Sequence, residues 1–179
     1  MNTRLKGRVA GLVLLGAAFF ATNAYPGVAP GTALGSHRTV TFAAIDSRMS
    51  VAQDAARRYL ARFLEHVLDE NGNARVDGAV KVALPAGDDQ EEVIWVTPFA
   101  QRGGGFIGAL ANEPQVVLGH SAGEVISFDR GQVRDWMFIG HDGKMYGSYT
   151  TRVILPELDP AHAAQIQAML SDAPTPAGW

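Results

Sequence analysis

One short stretch of the sequence matches the signature of a serine hydrolase. Residues 119–123 read Gly-His-Ser-Ala-Gly, a G-x-S-x-G pattern whose serine, in hydrolases, is a nucleophile on a sharp turn between a strand and a helix. Acidic residues and then His162 follow in the order of a catalytic triad. Residues 124–128, however, are β-branched and alternating, which predicts a strand where the motif needs a helix. We therefore expect Ser121 in an exposed turn between two strands, and a small serine esterase is the alternative function.

A second glycine motif resembles a nucleotide-binding loop. Residues 103–108 read Gly-Gly-Gly-Phe-Ile-Gly and match G-x-G-x-x-G. That fingerprint needs a helix to open inside it, because the helix N-terminus holds the pyrophosphate. Here Phe106 and Ile107 favour a strand, and Pro114 follows closely. We interpret the stretch as a hairpin loop and expect no nucleotide cofactor.

The residues that usually bind metals are scattered. The five histidines form no H-x-H or H-x-x-x-H pair, so their spacing does not indicate a zinc site. The acidic residues 88–92 lack the periodic ligands and the glycine of a calcium loop. The chain has no cysteine, hence neither a disulfide nor a thiolate metal site. We expect no metal and no cofactor.

Polar and aromatic residues on the predicted sheet are the candidate binding residues. These are Glu92, Trp95, Asn112, Asp135, Trp136, Tyr149 and Arg152. Convergence of Asp135, Trp136, Tyr149 and Arg152 on one surface would form a ligand or peptide site. The structural alternative, which these residue types favour, is that the tryptophans lie in the core, Asp135 caps a turn, and Arg152 pairs with Glu92 or Asp135 across the sheet.

The first 24 residues are typical of a secretory signal peptide. Arg4, Lys6 and Arg8 precede an uncharged apolar run over residues 9–20, and small residues around Ala24 suit signal peptidase. The run is short for a membrane span, which takes about 20 residues. We therefore expect cleavage after Ala24 and a periplasmic or secreted protein with no stable membrane span, and an uncleaved anchor is the alternative.

The charge balance argues against nucleic acid as a partner. The chain has 15 Lys and Arg against 18 Asp and Glu, and cleavage after Ala24 removes three of the basic residues and no acidic one. The mature chain then has 12 basic and 18 acidic residues, a net charge of −6. Such a surface repels polyanions. The expected partner is a protein, peptide or small-molecule ligand.

Hydrophobic periodicity predicts helices at both ends of the domain and strands between them. A helix over residues 50–68 begins with a Ser50–Gln53 capping box, and a second helix opens at Asp159-Pro160. The predicted strands cover residues 76–84, 92–97, 106–110, 115–118, 124–128, 136–139 and 145–155. A hairpin turn joins the last two of these strands at residues 140–143.

This order predicts an α+β fold. About six to seven strands without strand–helix alternation form a curled antiparallel sheet, either open or closed into a partial barrel, with an N-terminal and a C-terminal helix packed on it. The predicted organisation is a signal peptide (residues 1–24), a flexible leader (25–46), a single domain (47–172) and a frayed tail (173–179).

The sequence also resembles a known bacterial family. The resemblance covers residues 51–155 and lies in ordered short blocks: Glu92-x-x-Trp95, then Asn112-Glu113-Pro114, Gly123-Glu124, Asp135-Trp136-Met137 and Gly147-x-Tyr149-Thr150-x-Arg152. These blocks are similar to the YegJ-like family of domains of unknown function. Phe138 replaces an expected tyrosine, and Tyr146 stands where a glycine is common.

The resemblance implies a small α+β domain without established catalysis, and Ser121 in a variable turn between two blocks. It favours a non-catalytic binding or interaction module, by association with the family rather than from the site itself. The alternatives are the serine esterase and an immunity-like or stress-protective protein.

Overall fold

The structure is a computed structural model that describes residues 42–75, 77–87 and 90–179. The predicted signal peptide and residues 25–41 of the predicted leader lie outside the described residues.

Helix α1, Phe42–Val67, is the longest element. Its buried face carries Ala56, Leu60, Phe63 and Val67, at the spacing of one side of a helix. The helix begins eight residues before the predicted start, because residues 42–49 contain neither glycine nor proline to interrupt it. The predicted capping role of Ser50 is therefore wrong, and Ser50 lies exposed inside the helix.

Six antiparallel strands form one sheet. They are β1 Gly78–Pro85, β2 Glu91–Arg102, β3 Gly105–Leu110, β4 Val125–Phe128, β5 Val133–Ile139 and β6 Met145–Gly147. Their order across the sheet is β4-β3-β2-β1-β5-β6. The sheet is open, with β4 and β6 at its edges, so it is not closed into a barrel. The predicted α+β fold with an antiparallel sheet is confirmed.

Two of the predicted strands are wrong, wholly or in part. Residues 115–118 belong to an irregular loop over residues 111–124 (the 111–124 loop). The strand predicted over residues 145–155 ends at Gly147, where the chain turns through Ser148 at φ 53° into helix α2, Tyr149–Ile154, and the 3₁₀ turn Leu155–Glu157. In both places a tertiary contact, described below, outweighs the β-branched pattern of the sequence.

The C-terminal part of the chain packs against the sheet. Helix α3, Pro160–Met169, begins as predicted, with the Asp159 carboxylate accepting from the amides of Ala161 and His162. The tail is not frayed, contrary to expectation. The ring of Trp179 stacks on Phe138 at 5.6 Å between centroids, and the amide of Gly147 donates to the carbonyl of Pro174 at 2.7 Å.

The sheet has a core on each face. Alternate residues of β1 divide between the faces, so Val80 and Val82 lie in the core with α1, while Ala79 lies in a smaller core. The smaller core also contains Trp95 and Met137, and it receives Ile166 and Leu170 from the end of α3. No helix within the described residues has the length and apolarity that a membrane span requires.

Candidate functional site

Asp135 is the centre of a buried polar network. It lies on β5, directly opposite Lys81 on β1, and no part of its surface is exposed. Its Oδ1 atom accepts from the amides of Trp136 and Tyr149, and its Oδ2 atom accepts from the amide and the hydroxyl of Thr150 at 2.8 Å and 2.6 Å. The carboxylate therefore caps the first turn of α2 from a strand.

Lys81 completes this network. Its Nζ atom donates to the Thr150 hydroxyl at 2.8 Å and lies 4.9 Å from the centre of the Trp95 ring, a cation–π distance. Burial lowers the pKa of Lys81, and the charge of Asp135 acts in the opposite direction. Burial likewise raises the pKa of Asp135, and Lys81 and the hydrogen bonds from Thr150 and Trp136 oppose that shift. Each group thus stabilises the charged form of the other.

Trp136 and Tyr149 belong to the core. The Trp136 ring is fully buried and stacks on Phe63 at 4.9 Å, and its indole nitrogen donates to the carbonyl of Ala56 on α1 at 2.8 Å. Tyr149 packs edge-on against Trp136 at 5.5 Å. Burial raises the pKa of the Tyr149 hydroxyl, which has no hydrogen-bond partner among the described residues.

Arg152 does not pair with Glu92 or Asp135 across the sheet, so that prediction is wrong. Its guanidinium donates to the carbonyls of Gly147 and Ser171 at 3.0 Å and 2.9 Å, and to the Ser171 hydroxyl at 3.1 Å. Burial lowers its pKa. The residue lies on a helix rather than a strand, so its reach is toward the C-terminal tail.

The structure therefore brings some of the seven predicted binding residues together, but in the protein interior. Asp135, Trp136 and Tyr149 contact one another beneath the surface, and Arg152 connects α2 to Ser171, shortly after α3. Asp135, Tyr149 and Arg152 do not open onto a common cleft. These contacts agree with the structural alternative for the tryptophans, which lie in the core, and for Asp135, which caps a turn, but not for Arg152.

Trp95 contacts this network through Lys81, whereas Asn112 lies at the start of the 111–124 loop. Trp95 is buried on β2 under the Lys81 ammonium and packs in the smaller core. Asn112 is half-buried at the start of the 111–124 loop, and its side-chain amide donates to the carbonyl of Glu113 at 3.4 Å. Neither residue lines the two best-formed cavities of the described residues.

Glu92 has a different role from the other six. This carboxylate, 1% exposed at the start of β2, accepts from three consecutive backbone amides of the 111–124 loop. Its Oε1 atom binds the amide of Gln115 at 2.7 Å, and its Oε2 atom binds those of Val116 and Val117 at 2.8 Å each. Hydrogen bonds to a charged acceptor are about twice as strong as neutral ones. Glu92 thus fixes the path of a surface loop.

The loop that Glu92 holds carries apolar side chains on its surface. Leu118 is 93% exposed and Val116 is 41% exposed, and Val125, at the start of β4, is 64% exposed. Single exposed apolar residues are common on soluble proteins, and an exposed position on a loop is where binding residues are often found.

Beside this loop lies a shallow cleft of about 310 Å³, the β4 groove. Its lining includes Leu84, Pro85, Val117, Val125, Ile126, Ser127 and Gln132. The groove lies between the end of β1, the 111–124 loop and β4, and the polar side chains of His120 and Glu124 also line it. It is the candidate functional site.

Ser121 lies in an exposed turn, as expected, and β4 rather than a helix follows it. The nearest histidine in sequence, His120, has its Nδ1 atom 2.9 Å from Glu124 Oε1, and the other Oε atom of Glu124 accepts from the amide of Ser121 at 3.1 Å. Within the described residues no histidine is hydrogen-bonded to the Ser121 hydroxyl. The turn lacks the geometry by which a triad is recognised.

The described part of the chain contains no group of three or more acidic or histidine side chains arranged to hold a metal ion. Sequence reasoning missed Lys81, Thr150 and the apolar residues of the β4 groove. A lysine inside an otherwise apolar strand was the available signal for Lys81. The groove had none, because it joins residues far apart in sequence.

Comparisons with known proteins identify a family and assign no activity. The family described as "Uncharacterized protein conserved in bacteria (DUF2314)" matches residues 46–170. The chain is also 28% identical over 160 residues to "Uncharacterized protein YegJ" of Escherichia coli (strain K12), covering 89% of this chain and 96% of that protein. No solved structure matches. The resemblance seen in the sequence is confirmed, and the chain belongs to the DUF2314 family of uncharacterised bacterial proteins.

Proposed function

We propose that this chain is an exported, non-catalytic domain that binds a protein or peptide partner on the surface formed by the 111–124 loop and β4. The observation that carries the proposal is the contact of the buried Glu92 carboxylate with three successive loop amides. Removing a carboxylate from water is unfavourable unless hydrogen bonds compensate. In this chain the three hydrogen bonds of Glu92 order a loop that exposes Leu118 to solvent.

The hydrogen bonds of the buried polar residues favour partner binding at the surface loop rather than at the buried Asp135 network. Asp135, Lys81 and Thr150 satisfy one another's hydrogen bonds, and no exposed cleft leads to them among the best-formed cavities of the described residues. A partner therefore meets the loop and the β4 groove. An ordered apolar patch beside a groove is suited to a protein or peptide partner.

Binding is tested with a matched pair of surface substitutions. Leu118→Glu introduces a charge into the loop, and Val51→Glu introduces the same charge at an apolar position of α1 that is 70% exposed. A photo-crosslinker at position 118 identifies the partner in an envelope extract, and the purified partner is then titrated. We expect Leu118→Glu to weaken binding about tenfold or more and Val51→Glu to leave it unchanged. Equal affinities for both variants would contradict the proposal.

The serine esterase alternative has its own test. A fluorophosphonate probe is incubated with the mature protein and with Ser121→Ala, together with simple ester substrates. We expect neither labelling nor ester hydrolysis that depends on Ser121. Stoichiometric labelling that disappears in Ser121→Ala would overturn the non-catalytic part of the proposal.

Export rests on the signal-peptide pattern of the sequence alone, so it is tested separately. Residues 1–46 are fused to alkaline phosphatase, which is active only after export, and the mass of the full protein from an envelope fraction is measured. We expect phosphatase activity and a mature chain that begins at Tyr25. Activity with an uncleaved mass would favour the anchor, and no activity would contradict export.

An immunity-like role predicts a single stoichiometric protein partner in the crosslinking experiment.

A further inference from the structure

We propose that Lys81 and Asp135 form an amide bond with each other in the folded protein and release one molecule of water. The bond joins Nζ of Lys81 to Cγ of Asp135, so it links β1 covalently to β5. The chain has no cysteine and hence no disulfide, and this bond acts in place of one, because a cross-link restricts the unfolded chain. The step occurs once in each chain and does not depend on the partner proposed for the 111–124 loop.

A single hydroxyl group separates the two side chains. Lys81 and Asp135 are directly opposite each other on adjacent antiparallel strands, and the side chains of such a pair lie on the same face of the sheet. Nζ of Lys81 donates to the Thr150 hydroxyl at 2.8 Å, and that hydroxyl donates to Oδ2 of Asp135 at 2.6 Å. Rotation about the flexible stem of Lys81 closes this gap and brings Nζ to the carboxyl carbon.

The burial of this pair favours its uncharged forms. Asp135 has no exposed surface and Lys81 is 5% exposed, and removing a charge from water is unfavourable. Burial therefore lowers the pKa of Lys81 and raises the pKa of Asp135, although the charge of each group opposes the shift of the other. Both shifts favour the neutral amine and the neutral carboxyl group, which are the forms that react with each other.

The two oxygen atoms of Asp135 have different surroundings. Oδ1 accepts from the backbone amides of Trp136 and Tyr149 at 2.8 Å and 3.1 Å, and two such donors stabilise the oxyanion that forms when a carbonyl group is attacked. Oδ2 accepts from the amide and the hydroxyl of Thr150, and the hydroxyl also contacts the attacking Nζ. Oδ1 is therefore placed to remain as the amide oxygen, and Oδ2 is placed to leave.

The reaction needs no co-reactant and changes no oxidation state. A proton first moves from the Lys81 ammonium through the Thr150 hydroxyl to Oδ2, which leaves a neutral amine beside a neutral carboxyl group. The lone pair of Nζ then attacks Cγ, and the electrons of the C=O bond move onto Oδ1. Thr150 passes a second proton from Nζ to Oδ2, and the Cγ–Oδ2 bond breaks. Oδ2 departs as water, the C=O bond re-forms at Oδ1, and the amide nitrogen keeps its last hydrogen.

Mass spectrometry of the protein, purified from cells that express the full chain and then denatured, tests the bond. We expect an intact mass about 18 Da, one water molecule, below that of the same chain without the bond. Proteolysis is expected to release a branched peptide in which fragmentation locates the link between Lys81 and Asp135. An unreduced mass would overturn the proposal. A link to Thr150 in place of Lys81 would also overturn it, because that product is an ester.

Two variants each remove one reacting group. Lys81→Met keeps an apolar stem without the amine, and Asp135→Ala removes the carboxyl group. We expect both variants to have the full mass, and only the wild type to lose water. A loss of water that persists in either variant would arise elsewhere in the chain and would refute the amide bond. The wild-type mass and the branched peptide are decisive even where a variant does not fold.

The rate of bond formation tests the role of Thr150 as the proton relay. The protein is made in a cell-free system, and the fraction with the lower mass is followed over time. We expect Thr150→Val, which lacks the hydroxyl, to form the bond about a hundredfold more slowly than the wild type, and Thr150→Ser to form it at the wild-type rate. Near-ultraviolet circular dichroism verifies that both variants are folded. Equal rates for the two variants would exclude the relay.

Discussion

The Thr150 hydroxyl donates a hydrogen bond to the Oδ2 atom of Asp135 at 2.6 Å in the interior of the protein. The same hydroxyl accepts from Lys81 at 2.8 Å, so one small side chain connects a buried acid with a buried base. Because Thr150 is in the first turn of α2, this connection also fastens that helix to β1 and β5.

Loss of this hydroxyl is expected to destabilise the protein strongly. Thr150→Val keeps the shape of the side chain, removes one of the four hydrogen bonds that Asp135 accepts, and removes the hydroxyl that accepts from Lys81. Since hydrogen bonds to charged groups contribute about 1.5–3 kcal/mol, we expect Thr150→Val to lower the free energy of unfolding by about 2 kcal/mol or more. Thr150→Ser keeps the hydroxyl and is the control. Similar urea denaturation midpoints for both variants would show that the bridge contributes little.

The Glu92 carboxylate is expected to control the order of the 111–124 loop. Glu92→Gln replaces one acceptor oxygen with a donor that faces backbone amides, so we expect a loss of about 2–3 kcal/mol in unfolding free energy and faster hydrogen exchange at the amides of Gln115, Val116 and Val117. Mass spectrometry of pepsin fragments measures the exchange.

The neighbouring residue provides the control for that experiment. Glu91→Gln makes the same substitution where the carboxylate is half-exposed and pairs with Arg134 at 2.9 Å. Exposed ion pairs contribute about 0–1 kcal/mol, so we expect a small change in stability and unchanged loop exchange. An equal response of the loop to both variants would exclude the specific role of Glu92.

The helices and strands could be predicted from the sequence better than the hydrogen bonds between elements that are distant along the chain. Period-2 and helical patterns located α1, α3 and most strands, because those patterns reflect one buried face. Helix α2 was missed because its residues are β-branched and its cap, Asp135, comes from a strand 14 residues earlier. Residues 115–118 of the 111–124 loop were predicted as a strand because nothing local shows that Glu92 binds the amides of this segment.

For the candidate site, too, the sequence indicated some of the residues but not the contacts that they make. Glu92 was selected as a binding residue, but its partners are backbone amides, which carry no sequence signal. Trp136 and Arg152 were plausible ligand contacts by residue type, yet Trp136 lies in the core and Arg152, on α2, binds Ser171. The β4 groove combines residues from the end of β1, the 111–124 loop and β4, and periodicity does not show which of these distant segments lie near one another.

Two glycines with the same backbone conformation are expected to respond differently to alanine. Gly143 and Gly147 both have φ 74°. A Cβ atom at Gly143 meets nothing within 4 Å, whereas one at Gly147 overlaps the carbonyl oxygen and the ring of Trp136. We expect Gly143→Ala to cost about 1–2 kcal/mol through backbone strain alone and Gly147→Ala more than about 4 kcal/mol. Thermal unfolding by circular dichroism distinguishes them, and comparable melting temperatures would contradict the predicted contact.

Stability is expected to fall as the pH drops below 6.5. Burial and the charge of Arg75 lower the pKa of His66, Asp77 acts against them, and His141 adds to them. The ring nitrogen Nε2 lies 3.3 Å from the Arg75 guanidinium, a contact suited to neutral histidine. Because the unfolded chain takes up this proton more readily than the folded one, the stabilisation is complete above pH 6.5 and declines below it.

Substitution of the imidazole tests this dependence. His66→Gln keeps an acceptor for Arg75 and does not titrate. We expect urea denaturation at pH 7.5 and pH 5.5 to show a smaller difference in unfolding free energy for His66→Gln than for the wild type. The same pH dependence in both proteins would assign it to other groups.

The hydrogen bonds between Glu92 and the backbone of the 111–124 loop do not depend on the side chains of the loop. The carboxylate binds only peptide N–H groups of residues 115–117, which every amino acid except proline provides. Side chains at 116 and 118 can therefore be exchanged without altering the course of the backbone. One scaffold could in this way present different surfaces to different partners, so related chains with the same fold need not share a ligand.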